Sequence, residues 1–317
     1  MSGPTQGSVE IRAAGPGDVD EIIALVRGDE FAHEHSPEQL RPLFSYHWLE
    51  EKPSLGFVIL QSGRLAGFLG AVYSERRIDG QLLRFCNFTT LCLHPDFRGR
   101  ARRSSGSLLQ YSRALGDYAL GARDRIYTAF SANRAASRLL ESFDFRRISE
   151  HTVIFRPGAN ASTLVSRPAR ILSDPSRILP ILDEEHRHYL RDHLPYHCAH
   201  YLVLEGSRYC YIVTRRLRIR RPVILGNWPA DFIRKRYFPA GDILYMSDPE
   251  IAFRHWEQLK WRVMLRQRVV ALACDEWMLG PDGPKGVKIP RVVHRLGGTI
   301  EDRQIDKLYS EFVLLTP

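Results

Sequence analysis

The sequence predicts an α/β (α+β) protein in which a mixed, twisted sheet is flanked by helices and followed by a second, smaller α/β domain. Three observations predict this. Strand-like runs are joined by short turn signals, Ser62-Gly63 and Asp79-Gly80, which favour hairpins. The stretch from Asn87 to Phe145 reads strand, arginine-rich loop, helix, strand, helix. After Arg156-Pro-Gly-Ala-Asn-Ala-Ser162 the composition shifts, and a similar rhythm begins again. The expected division is residues 1–157, a linker at 158–168, and a second domain at 169–317.

Residues 8–13 read as a strand, and Gly17-Asp18 opens a helix with Ile22, Ile23, Leu25 and Val26 on its apolar face. Ser36-Pro37-Glu38 places an N-cap residue before a proline, so a second helix is expected from there to about Trp48. Gly56–Leu60 and Leu65–Tyr73 form a hairpin, and Gly67 and Gly70 inside its second strand mark close approach of other groups. The central strand runs from Leu82 to Leu93, and a helix follows from about Ser104 to Leu120. A further helix from Asn133 to Phe143 carries Ala136, Leu139, Leu140 and Phe143 at helical spacing, with Ser131 as a candidate N-cap.

In the second half, Tyr201–Leu204 and Tyr209–Val213 copy the first hairpin across Glu205-Gly206-Ser207-Arg208. A helix from about Pro249 to Gln267 precedes a strand at Val269–Cys274, and Phe312–Leu315 reads as a closing strand. Between Glu184 and His200 the chain is dense in His, with Asp192 and Cys198 among them. Pro195 interrupts that helix and the spacing matches no closed zinc motif, so hydrogen-bonded histidines at a helix end are expected and no metal. The run Arg215-Arg-Leu-Arg-Ile-Arg-Arg221 alternates like a strand with one charged face. It reads as an edge strand guarded by charge, with a face for an acidic substrate or nucleic acid as the sharper alternative.

Composition bounds the function. Of 317 residues, 44% are hydrophobic and 26% charged, which suits a folded chain with ordinary cores. The formal net charge of +9 favours an anionic partner. The arginine runs are not interleaved with aromatic residues, which argues against nucleic acid. No apolar run is long enough to span a bilayer, and the polar start of the chain lacks a signal-peptide core. The five cysteines, Cys86, Cys92, Cys198, Cys210 and Cys274, sit mostly in apolar runs and read as reduced core residues, so a cytoplasmic location is expected.

The loop after the central strand carries the chemistry. Arg98, Arg100, Arg102 and Arg103 crowd the start of a helix. A helix N-terminus is already partly positive, so each cation there costs about 0.3–1 kcal/mol. An anion placed at that point removes the conflict, because it accepts free backbone N–H groups and faces the guanidinium groups together.

His94-Pro-Asp-Phe-Arg-Gly99, followed by Asn133-x-x-Ala136-Ser137-x-Leu139 and Phe143-x-Phe145, resembles the GNAT superfamily of acyl-CoA-dependent N-acyltransferases. The resemblance covers roughly the first half of the chain, and the echo in the second half extends it to a tandem GNAT-like architecture whose second domain lacks the phosphate loop. It implies an enzyme that moves an acyl group, in the first instance acetyl, from acetyl-CoA or another acyl-CoA to an amine. The acceptor would be a small molecule or a glycan amine. It places Cys92 and Leu93 along the pantetheine arm, Arg98, Gly99, Arg100, Ala101, Arg102 and Arg103 around the pyrophosphate, and Asn133 against the pantetheine. Tyr46, His47 and Trp48 would lie in the region that walls the acceptor pocket, with helix packing as the alternative.

The sequence also departs from the family pattern. Ala101 and Arg103 stand where further glycines are common, and Leu140 stands where many members carry a tyrosine general acid. The central strand offers no carboxylate base; Asn87 and Thr89 are the residues there that can position a water or the amine. Glu75, His47, Tyr309 and Glu311 are further acid–base candidates. The competing reading is a non-catalytic, basic binding module with a transferase-like fold.

Overall fold

The computed structural model describes residues 9–28, 36–97, 107–121, 124–132, 134–156, 169–220 and 237–314. The chain forms two compact units. Unit 1 holds the described residues up to Ile148, with Val292–Thr299 and the residues from Tyr309 onward; unit 2 holds Ser149–Arg291 and Ile300–Leu308. The expected linker, 158–168, lies outside the described residues.

Unit 1 is built on β1 (Val9–Ala13), β2 (Gly56–Gln61), β3 (Arg64–Ile78), β4 (Gln81–Leu93), β5 (Ile126–Ala132) and the Val292–Leu296 part of β12 (Val287–Leu296). Neighbours pair in that order; β4 and β5 are parallel and every other pair is antiparallel. Both hairpin turns have positive φ at two successive residues, Ser62 (50°) with Gly63 (74°) and Asp79 (51°) with Gly80 (79°). That geometry matches the twist of the flanking strands. The helix Ser107–Ala119 covers one face through Leu115 and Ala119, and the core there includes Phe88, Tyr127, Ala129 and Phe145. Gly116 lets Phe143 press against this helix: a Cβ on Gly116 would sit 2.4 Å from the Phe143 ring.

Unit 2 repeats the plan with β7 (Arg170–Leu172), β8 (Ala199–Glu205), β9 (Arg208–Arg220), β10 (Tyr237–Met246), β11 (Leu272–Asp275) and β6 (Arg146–Phe155). Here β10 and β11 are the parallel pair and the rest are antiparallel. Each sheet therefore closes with a strand from far along the chain. β6 follows β5 in sequence yet pairs with β11, and β12 follows β11 yet pairs with β5.

Three expected elements differ. The helix from Ser36 to Trp48 is two short ones, Pro37–Leu40 and Pro42–Ser45, because Pro42 has no N–H to continue the first. The helix from Pro249 to Gln267 breaks at His255 (φ −113°, ψ 18°) into Pro249–Arg254 and Trp256–Gln267. The closing segment is a helix, Glu311–Leu314, not a strand; a four-residue apolar run does not separate the two. The charged strand Arg215–Arg220 belongs to β9, whose pairing with β8 ends at Thr214, so this part is paired with β10 alone. Arg216 and Arg218 are exposed there, while Arg215 is buried.

Candidate functional site

The site in unit 1 is the place where β4 and β5 stop pairing. Their parallel ladder joins Phe85, Cys86 and Asn87 to Ile126, Tyr127 and Thr128. β4 then continues to Leu93 and β5 to Ala132, but β5 pairs onward with β12, Ala129 opposite His294 and Ala132 opposite Val292. Beyond Asn87 the ladder of β4 with β5 does not continue among the described residues, and backbone groups at such a parting are met by side chains, other chain segments, water or ligand.

A β-bulge sits at the same place. β3 pairs Ala71 with Phe88 and Leu69 with Leu91, so β4 carries one extra residue at Thr89–Thr90. A bulge re-aims the strand's groups locally and is common beside functional sites. Thr89, Thr90 and Leu91 are half-buried, between fully buried Phe88 and Cys92. Gly70 makes the bulge possible, because a Cβ there would stand 2.1 Å from the Thr89 hydroxyl oxygen. Gly67 does the same for Leu93, at 2.4 Å from its Cδ2. The close approach expected at both glycines is made by the neighbouring strand.

Asn87 closes the ladder. Its side-chain amide donates to the Thr128 carbonyl at 3.3 Å and to the Thr128 hydroxyl at 3.1 Å. Its Oδ1 is buried without a hydrogen-bond partner. Cys92 and Leu93 are buried in the core, 2% and 6% exposed, so their side chains are closed to a ligand. Past Leu93 the His94 N–H donates to the Ala66 carbonyl at 2.9 Å, and the Asp96 N–H donates to His94 Nδ1 at 3.3 Å. Arg98, Gly99, Arg100, Ala101, Arg102, Arg103 and Asn133 lie outside the described residues.

On the other edge of β3, the Tyr73 N–H donates to the Tyr46 hydroxyl and the Tyr73 carbonyl accepts from the Trp48 indole, both at 2.9 Å. β2 ends its pairing at Gly70, so these two side chains satisfy backbone that would otherwise be an open edge. Trp48 also meets Tyr309 edge-on, ring centroids 5.2 Å apart. His47 is exposed. Glu75 pairs with Arg84 at 3.2 Å.

Leu140 packs against the core and has no proton to give. Beside it, Glu141 accepts from His294 at 3.5 Å and from Arg147. Arg147 holds the Glu141 carboxyl below its ordinary range, and burial lowers His294 despite that carboxylate. The imidazole, side chain fully buried, stands opposite the first residue of β5 past the ladder. The pair was not legible in the sequence, since 153 residues separate its members. Burial also pushes Tyr127 up to about 12 and raises the Cys86 thiol, so neither ionises near neutrality.

Solved structures share this fold. A GCN5-related N-acetyltransferase from Anabaena variabilis matches with a TM-score of 0.52 at 10% identity, over 91% of this chain and 72% of that one. The chain has the GNAT fold. A GCN5-related N-acetyltransferase from Kribbella flavida matches at 0.51 and 10% identity, over 93% and 72%. A candidate acetyltransferase from Pyrococcus horikoshii matches at 0.50 and 13% identity, over 98% of this chain and 95% of that one. No family model matches the sequence, and no curated protein matches it. The likeness is one of fold, and it spans nearly the whole length. No helix among the described residues is long and apolar enough to cross a membrane.

Proposed function

We propose that unit 1 binds an acyl-CoA and transfers its acyl group to an amine. The observation that carries this is the β4–β5 opening beyond Asn87 and Thr128, with a bulge at Thr89–Thr90 on its inner edge. The pantetheine arm runs beside β4 past the bulge, at Cys92 and Leu93. We assign the pyrophosphate to the sequence 98–103, whose four arginines precede the helix that begins at Ser107. Asn133 is assigned to the arm from the family resemblance of its motif. The names of the fold relatives, N-acetyltransferases, support the same class of reaction.

The chemistry is direct attack. The amine nitrogen forms a bond to the thioester carbonyl carbon, the C–S bond breaks, and the thiolate leaves. A proton is lost from nitrogen and one is gained by sulfur. Backbone N–H groups at the bulge polarise the carbonyl, and holding the two reactants together supplies most of the rate. Asn87 and Thr89 set the shape of this opening. Proton handling falls to His294, held neutral by burial and tethered to Glu141, since Leu140 cannot serve. The second unit is a GNAT-like repeat without an arginine loop, which makes the chain a tandem.

Leu140 also favours the competing reading, a basic module that binds without catalysis. Thermal melting with acetyl-CoA and with desulfo-CoA separates the two. A ligand at about 100 times its Kd stabilises the folded chain by about 2.7 kcal/mol. The expected result is a raised Tm with both, lost in the Arg98→Ala, Arg100→Ala double variant. A chain that ignores both ligands and is stabilised by an oligonucleotide defeats the enzyme reading.

A further inference from the structure

Unit 2 has the same opening as unit 1, and its own chain fills it. The parallel ladder of β10 and β11 joins Gly241 and Asp242 to Leu272 and Ala273, after which β10 runs on to Met246 and β11 to Asp275. β10 bulges at Leu244, between Ile243 opposite Thr214 and Tyr245 opposite Val213. Asp242 thus holds the ladder-end position that Asn87 holds in unit 1, and Leu244 holds the place of Thr89–Thr90.

Into this opening comes the segment Ile305–Leu308. The Lys307 N–H donates to the Leu244 carbonyl, the bulge itself, at 3.0 Å. The Trp277 indole donates to the Ile305 carbonyl at 3.1 Å, and His193 Nε2 lies 2.7 Å from the Leu308 carbonyl. The Lys307 ammonium spans the two strands, 2.7 Å from Asp242 and 2.8 Å from Asp275. The result is closure: Ile305, Lys307 and Leu308 are at most 1% exposed, and so are Ile243 and Leu244, whereas Thr89–Leu91 in unit 1 stay half-buried.

We propose that Ile305–Leu308 is an internal ligand that permanently occupies the carrier groove of unit 2, so that the chain takes one acyl carrier, in unit 1. The peptide N–H of Lys307 does in unit 2 what an amide of a pantetheine arm does in unit 1, and the Lys307 ammonium latches it to both strand tips. The stoichiometry rests on the function proposed for unit 1; the occupied groove does not.

Two measurements on the full chain test this. Isothermal titration with acetyl-CoA should give one equivalent per chain. Hydrogen exchange should show the amides of 305–308 protected about 10³-fold or more over an unstructured peptide, like core strands, with or without acetyl-CoA. In Lys307→Met their exchange should rise about tenfold or more, as the latch is lost. A second equivalent of acetyl-CoA, exchange at the unstructured rate, or exchange accelerated by acetyl-CoA would overturn the proposal. If the segment is protected and no carrier binds at all, the plugged groove stands and the function proposed for unit 1 falls. Should Lys307→Met fail to fold, the two wild-type measurements still decide.

Discussion

Replacing Lys307 by methionine nearly keeps the length of the side chain and removes the ammonium that bridges Asp242 and Asp275. Both carboxylates are buried, 2% and 0% exposed, and both lie within 2.8 Å of the ammonium. Burial works against the ammonium, yet Asp242 and Asp275 hold Lys307 above its ordinary range. Burial likewise works against Asp275, and Lys307 and Arg291 hold it below its ordinary range, while burial raises Asp242. Deleting one partner of such a buried set strands the others, at about 3–5 kcal/mol. For a domain of 150–250 residues each kcal/mol moves Tm by about 2–4 °C, so a loss of about 6–20 °C is expected. The sign with pH is specific. In the wild type, the raised lysine contributes stability that is lost as pH rises through its folded value, the lowered Asp275 stability that is lost as pH falls through its own, and the raised Asp242 stability that is present at low pH and lost as pH rises. In the variant, Asp242 titrates from higher still, and a raised carboxyl stabilises at low pH and loses that as pH rises. The deficit measured by urea titration should therefore be larger at pH 8 than at pH 4. Additional Asp242→Asn and Asp275→Asn changes should recover part of it, because the two carboxylates stranded by the loss of the ammonium are then neutral. A deficit under about 1 kcal/mol, or one independent of pH, would refute the reasoning, since such a value belongs to an exposed pair.

Gly70→Val should abolish stabilisation by acetyl-CoA in thermal melts, because its Cβ would displace Thr89 and the bulge; the overpacking should also cost about 1–3 kcal/mol. His294→Asn should lower kcat and erase the acid limb of the pH–rate profile, whereas a merely structural histidine would leave the limb in place. Burial takes His200 down to about 3, so its contribution is present above pH 6.5 and is lost as pH falls toward 3. His200→Gln, which keeps a partner for Tyr211, should flatten stability across that interval in urea titrations at stepped pH.

Local chemistry made most of unit 1 legible. Turn residues with positive φ fixed both hairpins, and the apolar stripe on residues 134–141 fixed its helix. At Pro42 a missing N–H outranks the helical pattern around it. Tyr46 and Trp48 were readable as pocket wall or packing, and the deciding fact, an open edge of β3 at Tyr73, depends on where β2 ends. The latch and the His294–Glu141 pair had no local signal at all. Lys307 meets Asp242 across 65 residues, a separation that no local pattern reveals.

The two openings differ in every group that a carrier would use, and in one direction. In unit 1 the ladder ends on a neutral amide, Asn87, and the next helix begins only after a basic loop. In unit 2 it ends on Asp242, already neutralised by Lys307, and the bulge carbonyl is taken by the Lys307 N–H. The helix after β10 starts at Pro249, and the Asp248 side chain accepts from the Ile251 N–H at 3.1 Å. That carboxylate supplies the anion a helix N-terminus favours, so none need be bound there. An acidic cap and a cationic latch satisfy from within what the proposal for unit 1 gives to a bound carrier. Restoring one group, an arginine at position 248 for example, would therefore not create a second carrier site, because the groove would still hold residues 305–308.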